Sequence, residues 1–555
     1  METQYGEGVY ERIVPDDRLI LFGMEFKGDA AYKVFCDGYL LGDLAAWYGR
    51  WTFTPGSRAA SLMAGSVTKH TLTVSSQGQS MAVRMHRVPG EYVRGVDPDV
   101  RRGDTVFVRS VSGAIKSFGK AMADSSELCN SKVAVKDTSP LKASPAIHNK
   151  QHTWEETVWL NKGNMDAVVE KSICFIKDVV EKHSDKTCTV SLSGGKDSLA
   201  TLLVVMKAGI RPKIIYADTH MDCGSSSLVK SIAERYGLEI ISCGIPEDVL
   251  YRNIERLGPP SVDYRWCCKV HQLSQFQILA MMLDGSNLTF VGQRRYESKK
   301  RMQNGKVLRN EWVPNQVAVA PIQEWNALHV WMFLTMENAP YNRLYEHGFD
   351  RIGCYWCPVE SVTLLSESEW DDPVAHRWKA GIDRYGREKD MPQVWHDRML
   401  WRCRNYSEHI PGVDPKLQEE IERKQRIVTY RTTVSDGAAH SGRAFDPGDL
   451  LPLLPIIGRE GHMCDGCLIT GDLEVLPDGH VTSSKADDRL NEYADDIFDL
   501  SLMATFCLEC TLCVYQCKNK AITFQDRSIK LDASRCDGCR ECMPVCPSIR
   551  ILRPR

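Results

Sequence analysis

Residues 187–209 read TCTVSLSGGKDSLATLLVVMKAG. Cys188 to Leu192 is a short apolar run with β-branched residues, the pattern of a buried strand. Ser193, Gly194, Gly195, Lys196, Asp197 and Ser198 follow, and then an apolar helical run that ends near Gly209, a residue suited to the position after a helix. A strand, a glycine turn and a helix N-terminus make an anion site, because backbone N–H groups converge there and the helix dipole favours negative charge. The loop is not a Walker A sequence, since the G-x4-G-K-[ST] spacing is absent. A second strand, KIIYADTH at 213–220, brings Asp218 and Thr219 to its C-terminal end, where open α/β sheets bind ligands.

Outward from this stretch, the chain has 555 residues. At roughly 100–200 residues per domain it should hold several domains. Apolar residues are 43% and charged residues 25%, a soluble globular balance that excludes disordered, collagenous and membrane classes. Lys+Arg is 69 and Asp+Glu 72, so the net charge of −3 gives no global attraction to nucleic acid. The opening METQYGEGVYERIVPDD lacks an apolar core for a signal peptide, and no stretch reaches the roughly 18 apolar residues of a membrane span. No membrane partner is expected. Against that background 21 cysteines stand out. Without export signals they point to metal binding rather than disulfides, in a reducing cytoplasm with little oxygen.

Eight of them lie between 507 and 546. CLECTLCVYQC (507–517) and CDGCRECMPVC (536–546) are each C-x2-C-x2-C-x3-C, an internal repeat. Soft thiolates in this spacing suit iron–sulfur clusters, with a pair of zinc sites as the alternative. The repeat resembles the bacterial two-cluster ferredoxin module. The resemblance implies one [4Fe–4S] cluster on Cys507, Cys510, Cys513 and Cys546 and a second on Cys536, Cys539, Cys542 and Cys517. Pro547 fits the pattern after the second run, whereas Lys518 stands where the first run expects proline. Such a module relays electrons and implies an upstream electron donor.

The central loop, SGGKDS, resembles the pyrophosphate loop of the adenine-nucleotide α-hydrolase enzymes, which cleave ATP between its α and β phosphates. Downstream come Cys267 and Cys268 in RWCCKVH, VGQRRYES at 291–298, APIQEWNALHVW at 320–331, and APYNRLYEHGFDRIGC leading to Cys354 and Cys357. Over about residues 176–365 this series is similar to the sulfonucleotide (PAPS) reductase family, which reduces adenylyl sulfate (APS) or its 3′-phosphorylated form (PAPS). In the cluster-bearing branch the cysteine pair and the later C-x2-C hold one [4Fe–4S] cluster, so the resemblance implies a third cluster on Cys267, Cys268, Cys354 and Cys357; zinc is the alternative. It also places Ser193–Ser198 on the phosphates of ATP or an adenylyl sulfate. Lys196 and Asp197 would act at the phosphates, with Asp218 beside the adenosine or a Mg2+ ion. Arg294 and Arg295 would meet phosphate or sulfate, a role suited to the planar, always-charged guanidinium; the alternative is a solvated basic face.

Two departures matter. Reductases of the family carry a tail with a Glu-Cys-Gly-Leu-His motif whose cysteine attacks sulfur, and no such motif occurs in this sequence. Their loop has usually lost the SGGxDS form, which is intact here. The intact loop with four cysteines also looks like the sulfur-inserting enzyme of DNA phosphorothioation. Cys464 and Cys467, in GHMCDGCLI, are open to reading as a redox pair, a sulfur carrier or half a zinc site.

At the front, residues 88–137 alternate apolar positions with Gly-Asp and Ser-Gly turns, as in short strands of a small barrel. GVDPDVRRGDTVFV and SFGKAMADSSEL resemble a PUA domain, an RNA-binding module. From Arg84 to Lys120 there are eight Lys/Arg against four Asp/Glu, enough to hold a phosphate backbone. A barrel used only for packing is the alternative.

The expected architecture is multidomain α/β. It has an N-terminal region of unclear type (1–80), a PUA-like β-barrel (81–140) and a connector (141–175). A central α-hydrolase-like parallel sheet (176–410), a linker (411–495) and an α+β ferredoxin domain (496–555) follow. In the 1–80 region, Trp47, Trp51 and Phe53 read as core. The lead functional expectation is an iron–sulfur enzyme that uses ATP to adenylate RNA, in particular tRNA, and insert sulfur. The alternative is an assimilatory APS/PAPS reductase that makes sulfite with electrons from its own ferredoxin domain.

Overall fold

The computed structural model describes the chain apart from residues 15–19, 25–29, 37, 48–49, 143–152, 284–286, 362–364, 366–369, 407–409, 411–412, 427–428, 436–437, 485–489 and 554–555. The side chain of Trp47 and part of the expected connector lie outside the described residues. The chain divides into two compact units, Met1–Lys162 with Ser361–Glu369, and Gly163–Glu360 with Trp370–Arg555.

The second unit is built on a six-stranded sheet. Its strand order is Ile240–Gly244, Lys213–Asp218, Thr187–Ser191, Asn287–Val291, Val313–Val319, Val307–Asn310. All neighbours are parallel except the last pair. Val190, Ile214, Leu288 and Phe290 are fully buried, as expected of parallel strands covered by helices on both faces. From Thr187–Ser191 the chain adds strands first to one side and then to the other. The C-terminal end of that strand is therefore the topological switch point, where such sheets leave a crevice for ligand. The SGGKDS loop leaves from this end. The Pro321–Trp325 stretch proves to be packing: Trp325 is 2% exposed and its Nε1 donates to Ser172 Oγ at 3.1 Å.

The stretch expected to be a linker is substantially folded. Six short antiparallel strands run in the order Thr433–Ser435, Ala438–His440, His480–Ser483, Leu473–Val475, Cys467–Thr470, His462–Cys464. Ala439, Val481, Val475 and Leu468 are fully buried, and the helix Leu490–Thr505 packs on this sheet. Strands of three or four residues separated by Pro, Gly and Asp turns have linker composition, which explains the misreading. The same helix crosses the expected boundary at 496. The ferredoxin-like end adds a hairpin, Ile522–Gln525 with Ser528–Leu531, and the short helices Leu512–Gln516 and Pro547–Leu552.

The first unit holds a four-stranded antiparallel sheet over residues 20–55 and a six-stranded sheet over residues 71–140. In the larger sheet Thr71–Val74 lies between Val93–Val96 and a parallel neighbour, Thr105–Ser110. The domain boundary expected at 80 therefore cuts through a sheet. One core joins Cys36 and Phe53 to Phe107 and Phe118.

Candidate active site

The loop is shaped by close approaches. Gly194 has φ +76°, and a Cβ there would meet Ser225 Cβ at 2.8 Å. A Cβ on Gly292, at the end of the neighbouring strand, would lie 2.5 Å from the backbone of Asp197 and Ser198. Ser198 holds the turn from within: its hydroxyl donates to Gly195 O at 2.9 Å and accepts from Ser193 N at 3.2 Å. Gly195 is the N-cap of the helix Lys196–Lys207 and has no side chain to cap it. The Lys196 amide is met instead by Tyr345 Oη at 2.9 Å.

Lys196 is 6% exposed. Its Nζ donates to Asp350 O at 2.5 Å and lies 3.4 Å from Asp197 Oδ2. Arg294 Nε donates to the other oxygen of Asp197, Oδ1, at 2.5 Å. Arg294 is thus joined to the loop. Arg295 is not; its guanidinium lies 5.9 Å from the ring centre of Tyr296. Asp218 stands at its strand end, where Oδ1 accepts from His220 N at 3.0 Å. Asp222 is used structurally, accepting from the Ser225 and Ser226 amides and from Tyr216 Oη. The same Asp218 oxygen lies 3.3 Å from His220 Nδ1.

The four central thiols act on one another. Cys267 is raised by its hydrogen bond to Cys268, by burial and then by the charges of Cys268, Cys354 and Cys357. Cys268 is lowered to about 7, first by that hydrogen bond and then, against burial, by Arg265 and Arg351. Burial and the charges of Cys357 and Cys268 raise Cys354. Burial opposes the charge on Arg351, but Cys357, Glu360, Cys268 and Cys354 outweigh it and raise the guanidinium. The four thiols and the Arg265 and Arg351 guanidiniums thus share one electrostatic neighbourhood, and four thiolates are the donor chemistry of an iron–sulfur cluster.

A fifth thiol adjoins them. Cys223 N donates to Gly353 O at 3.2 Å, and Asp222 bridges to Cys354 as in an antiparallel pair. In the sequence Cys223 belongs to no cysteine motif; only the folding of 220–225 against 353–355 brings it to the site. Tyr345 and Asp350 were missed for the same reason.

In the dicluster segment, Cys513 is raised by burial and by the charges of Cys510, Cys546 and Cys507. Cys542 is pushed up to about 12 by burial and by Cys539, Cys546 and Cys517. Cys510, Cys513 and Cys546 are buried, whereas Cys539 is exposed. Cys464 and Cys467 pair across a two-residue turn at the tip of an edge hairpin.

Residues 187–360 match the phosphoadenosine phosphosulfate reductase domain, and residues 506–549 match the 4Fe-4S dicluster domain. Two uncharacterized proteins of Methanocaldococcus jannaschii are similar. One is 31% identical over 321 residues, 55% of this chain and 66% of the relative; the other is 28% identical over 304 residues, 53% and 71%. The chain thus spans about two thirds of the length of these relatives. Adenosine 5′-phosphosulfate reductase of Shouchella clausii is 26% identical over 172 residues, 30% of this chain and 68% of that one. Among solved structures, a phosphoadenylyl-sulfate reductase from Candida auris in a phosphate complex is 21% identical, covering 38% of this chain and 98% of that one, with a TM-score of 0.27. No described helix is long and apolar enough to cross a membrane. The chain carries a PAPS-reductase-family domain and a C-terminal 4Fe-4S dicluster ferredoxin domain.

Proposed function

We propose that this protein binds ATP at Ser193–Ser198, cleaves it between the α and β phosphates, adenylates an oxygen on RNA, with tRNA the favoured class, and replaces that oxygen with sulfur. The observation that carries this reading is the intact loop at the switch point, with buried Lys196 beside it and Asp197 fixed by Arg294. The turn amides and Lys196 would hold the β and γ phosphates, and Lys196 would neutralise the departing pyrophosphate. Asp218 would orient the ribose or a Mg2+ ion. The acceptor oxygen forms a bond to the α phosphorus as the α–β bridging bond breaks. A nucleophilic sulfur then takes the carbon, and AMP leaves with the oxygen.

A sulfide donor needs no electrons, whereas a persulfide needs two to break its S–S bond. That demand gives the dicluster domain a task. Cys267, Cys268, Cys354 and Cys357 would hold the third cluster, which supplies a site for binding sulfur or passing electrons. RNA would be held by residues 81–140, the segment that resembles a PUA domain, where Arg84, Arg87, Arg94, Arg101, Arg102, Lys116 and Lys120 are exposed.

A second reading, sulfite formation from APS or PAPS, is favoured by the relatives named adenosine 5′-phosphosulfate reductase. The intact SGGKDS loop weighs against it. Anaerobic incubation of the reconstituted protein with APS, with PAPS, or with ATP and bulk tRNA separates the two. RNA-dependent pyrophosphate release supports thiolation, and sulfite release without RNA overturns it.

A further inference from the structure

The dicluster segment is fastened to the reductase-like domain at the edge that carries its buried cysteines. Arg252, on the helix Asp248–Leu257, makes a two-pronged pair with Glu509: Nε to Oε1 at 2.9 Å and Nη2 to Oε2 at 2.6 Å. Glu509 sits between Cys507 and Cys510, and its side chain is 2% exposed. Arg256 Nη1 donates to Cys507 O at 2.7 Å, Asn253 Nδ2 to Leu508 O at 3.2 Å, and Gln275 Nε2 to Cys510 O at 3.4 Å. Gln275 lies on the helix Ser274–Met282, which packs on Leu512–Gln516 and directly continues the turn that bears Cys267 and Cys268.

A second bridge runs through one aromatic ring. The guanidinium of Arg550 lies 3.5 Å from the ring centre of Trp312, and Lys269 Nζ lies 5.3 Å from it. Lys269 follows Cys268. Arg550 stands on the helix Pro547–Leu552, which starts directly after Cys546. Two like charges at one indole are held there by cation–π attraction and by Glu311, whose charge acts on Arg550. Trp312 therefore joins Lys269, which follows Cys268, to Arg550, whose backbone N–H donates to Cys546 O at 3.1 Å. In the other dicluster set Cys539 is exposed whereas Cys542 is buried, and its loop is tied instead to the 451–458 turn, where Arg540 Nη2 donates to Ile457 O at 3.1 Å.

We propose that the dicluster domain is a fixed, docked electron donor. Electrons arrive at the Cys517/Cys536/Cys539/Cys542 set and leave from the Cys507/Cys510/Cys513/Cys546 set, crossing at Trp312, with Arg550 and Lys269 as positioning residues, to the Cys267/Cys268/Cys354/Cys357 set. This rests on the reading that the central set holds a cluster. Each transfer moves one electron: the dicluster site is oxidised, the central site is reduced, and a low-potential one-electron donor outside the chain restores the first.

The test uses the full, iron-loaded chain with no substrate. Flash-generated deazaflavin radical injects one electron, and freeze-quench EPR follows its arrival at the central site, whose signal is identified by its loss in Cys354→Ser. Trp312→Leu should slow the arrival at unchanged iron content, and Trp312→Phe should restore much of it. Glu509→Gln, which loosens the docking, should slow it as well. Equal rates in Trp312→Leu and the native chain would overturn the proposal. Iron for two clusters only, with no signal lost in Cys354→Ser, would instead sink the reading on which it rests, and the proposal with it.

Discussion

Arg294 reaches across from the end of one parallel strand to Asp197 in the first turn of the loop helix, with Nε 2.5 Å from Oδ1 and side-chain exposures of 8% and 16%. The arginine motif and the glycine loop, almost a hundred residues apart in sequence, are one device. Asp197 lies between two cations, Lys196 and Arg294, which hold the loop in shape. Removing one partner of a buried pair leaves an uncompensated charge and costs about 3–5 kcal/mol. Arg294→Gln should therefore lower the urea midpoint and weaken ATP binding together. Arg294→Lys should rescue poorly, because a point charge on a flexible stem does not reproduce the guanidinium fork. Full ATP affinity in Arg294→Gln would show that the pair is not part of the nucleotide site.

Gly292 gives a steric test of the same contact. A methyl group there would stand 2.5 Å from Asp197 C and Ser198 N, so the loop or the strand end has to move. Gly292→Ala should lose ATP binding in calorimetric titration while keeping its dicluster iron. Unchanged affinity would contradict this account of the loop.

What the sequence made legible is local. A strand, a glycine turn and a helix N-terminus are contiguous, so the loop and its sheet could be placed from residues 187–220. The cysteine spacings are equally contiguous. Residues joined only by topology were invisible. Tyr345 and Asp350 meet Lys196 from about 150 residues away, Cys223 reaches the cysteine site through the pairing of two loops, and Glu509 meets Arg252 across two domains. The sheet at 433–483 was misread because its strands are too short for a period-2 pattern to outweigh their turns.

The central cysteine site has a stoichiometric signature. Cys354→Ser and Cys267→Ser should each remove one cluster's worth of iron and its EPR signal, leaving the dicluster signals in place. Zinc in the native protein, bound in proportion to these cysteines, would refute a third cluster.

His271 predicts an acid sensitivity. It is 1% exposed, and among the described residues neither ring nitrogen has a hydrogen-bond partner. Burial, aided by the charge of His220, pushes its pKa down from 6.5 to about 3. The folded value lies below the unfolded one, so between these limits the unfolded chain binds the extra proton. Stability is then complete above about pH 6.5 and falls as pH drops toward 3, by up to about 1.4 kcal/mol per unit. His271→Leu should flatten the dependence of the thermal midpoint on pH over this window relative to the native chain. An identical pH profile in the two proteins would contradict the assignment.

The bond that ATP loses tests the central claim most directly. Anaerobic protein with ATP, tRNA and sulfide should release AMP and pyrophosphate in equal amounts, resolved by anion-exchange chromatography, and Lys196→Ala should abolish both. Release of ADP and phosphate, or RNA-independent sulfite from adenylyl sulfate that survives Lys196→Ala, would contradict it.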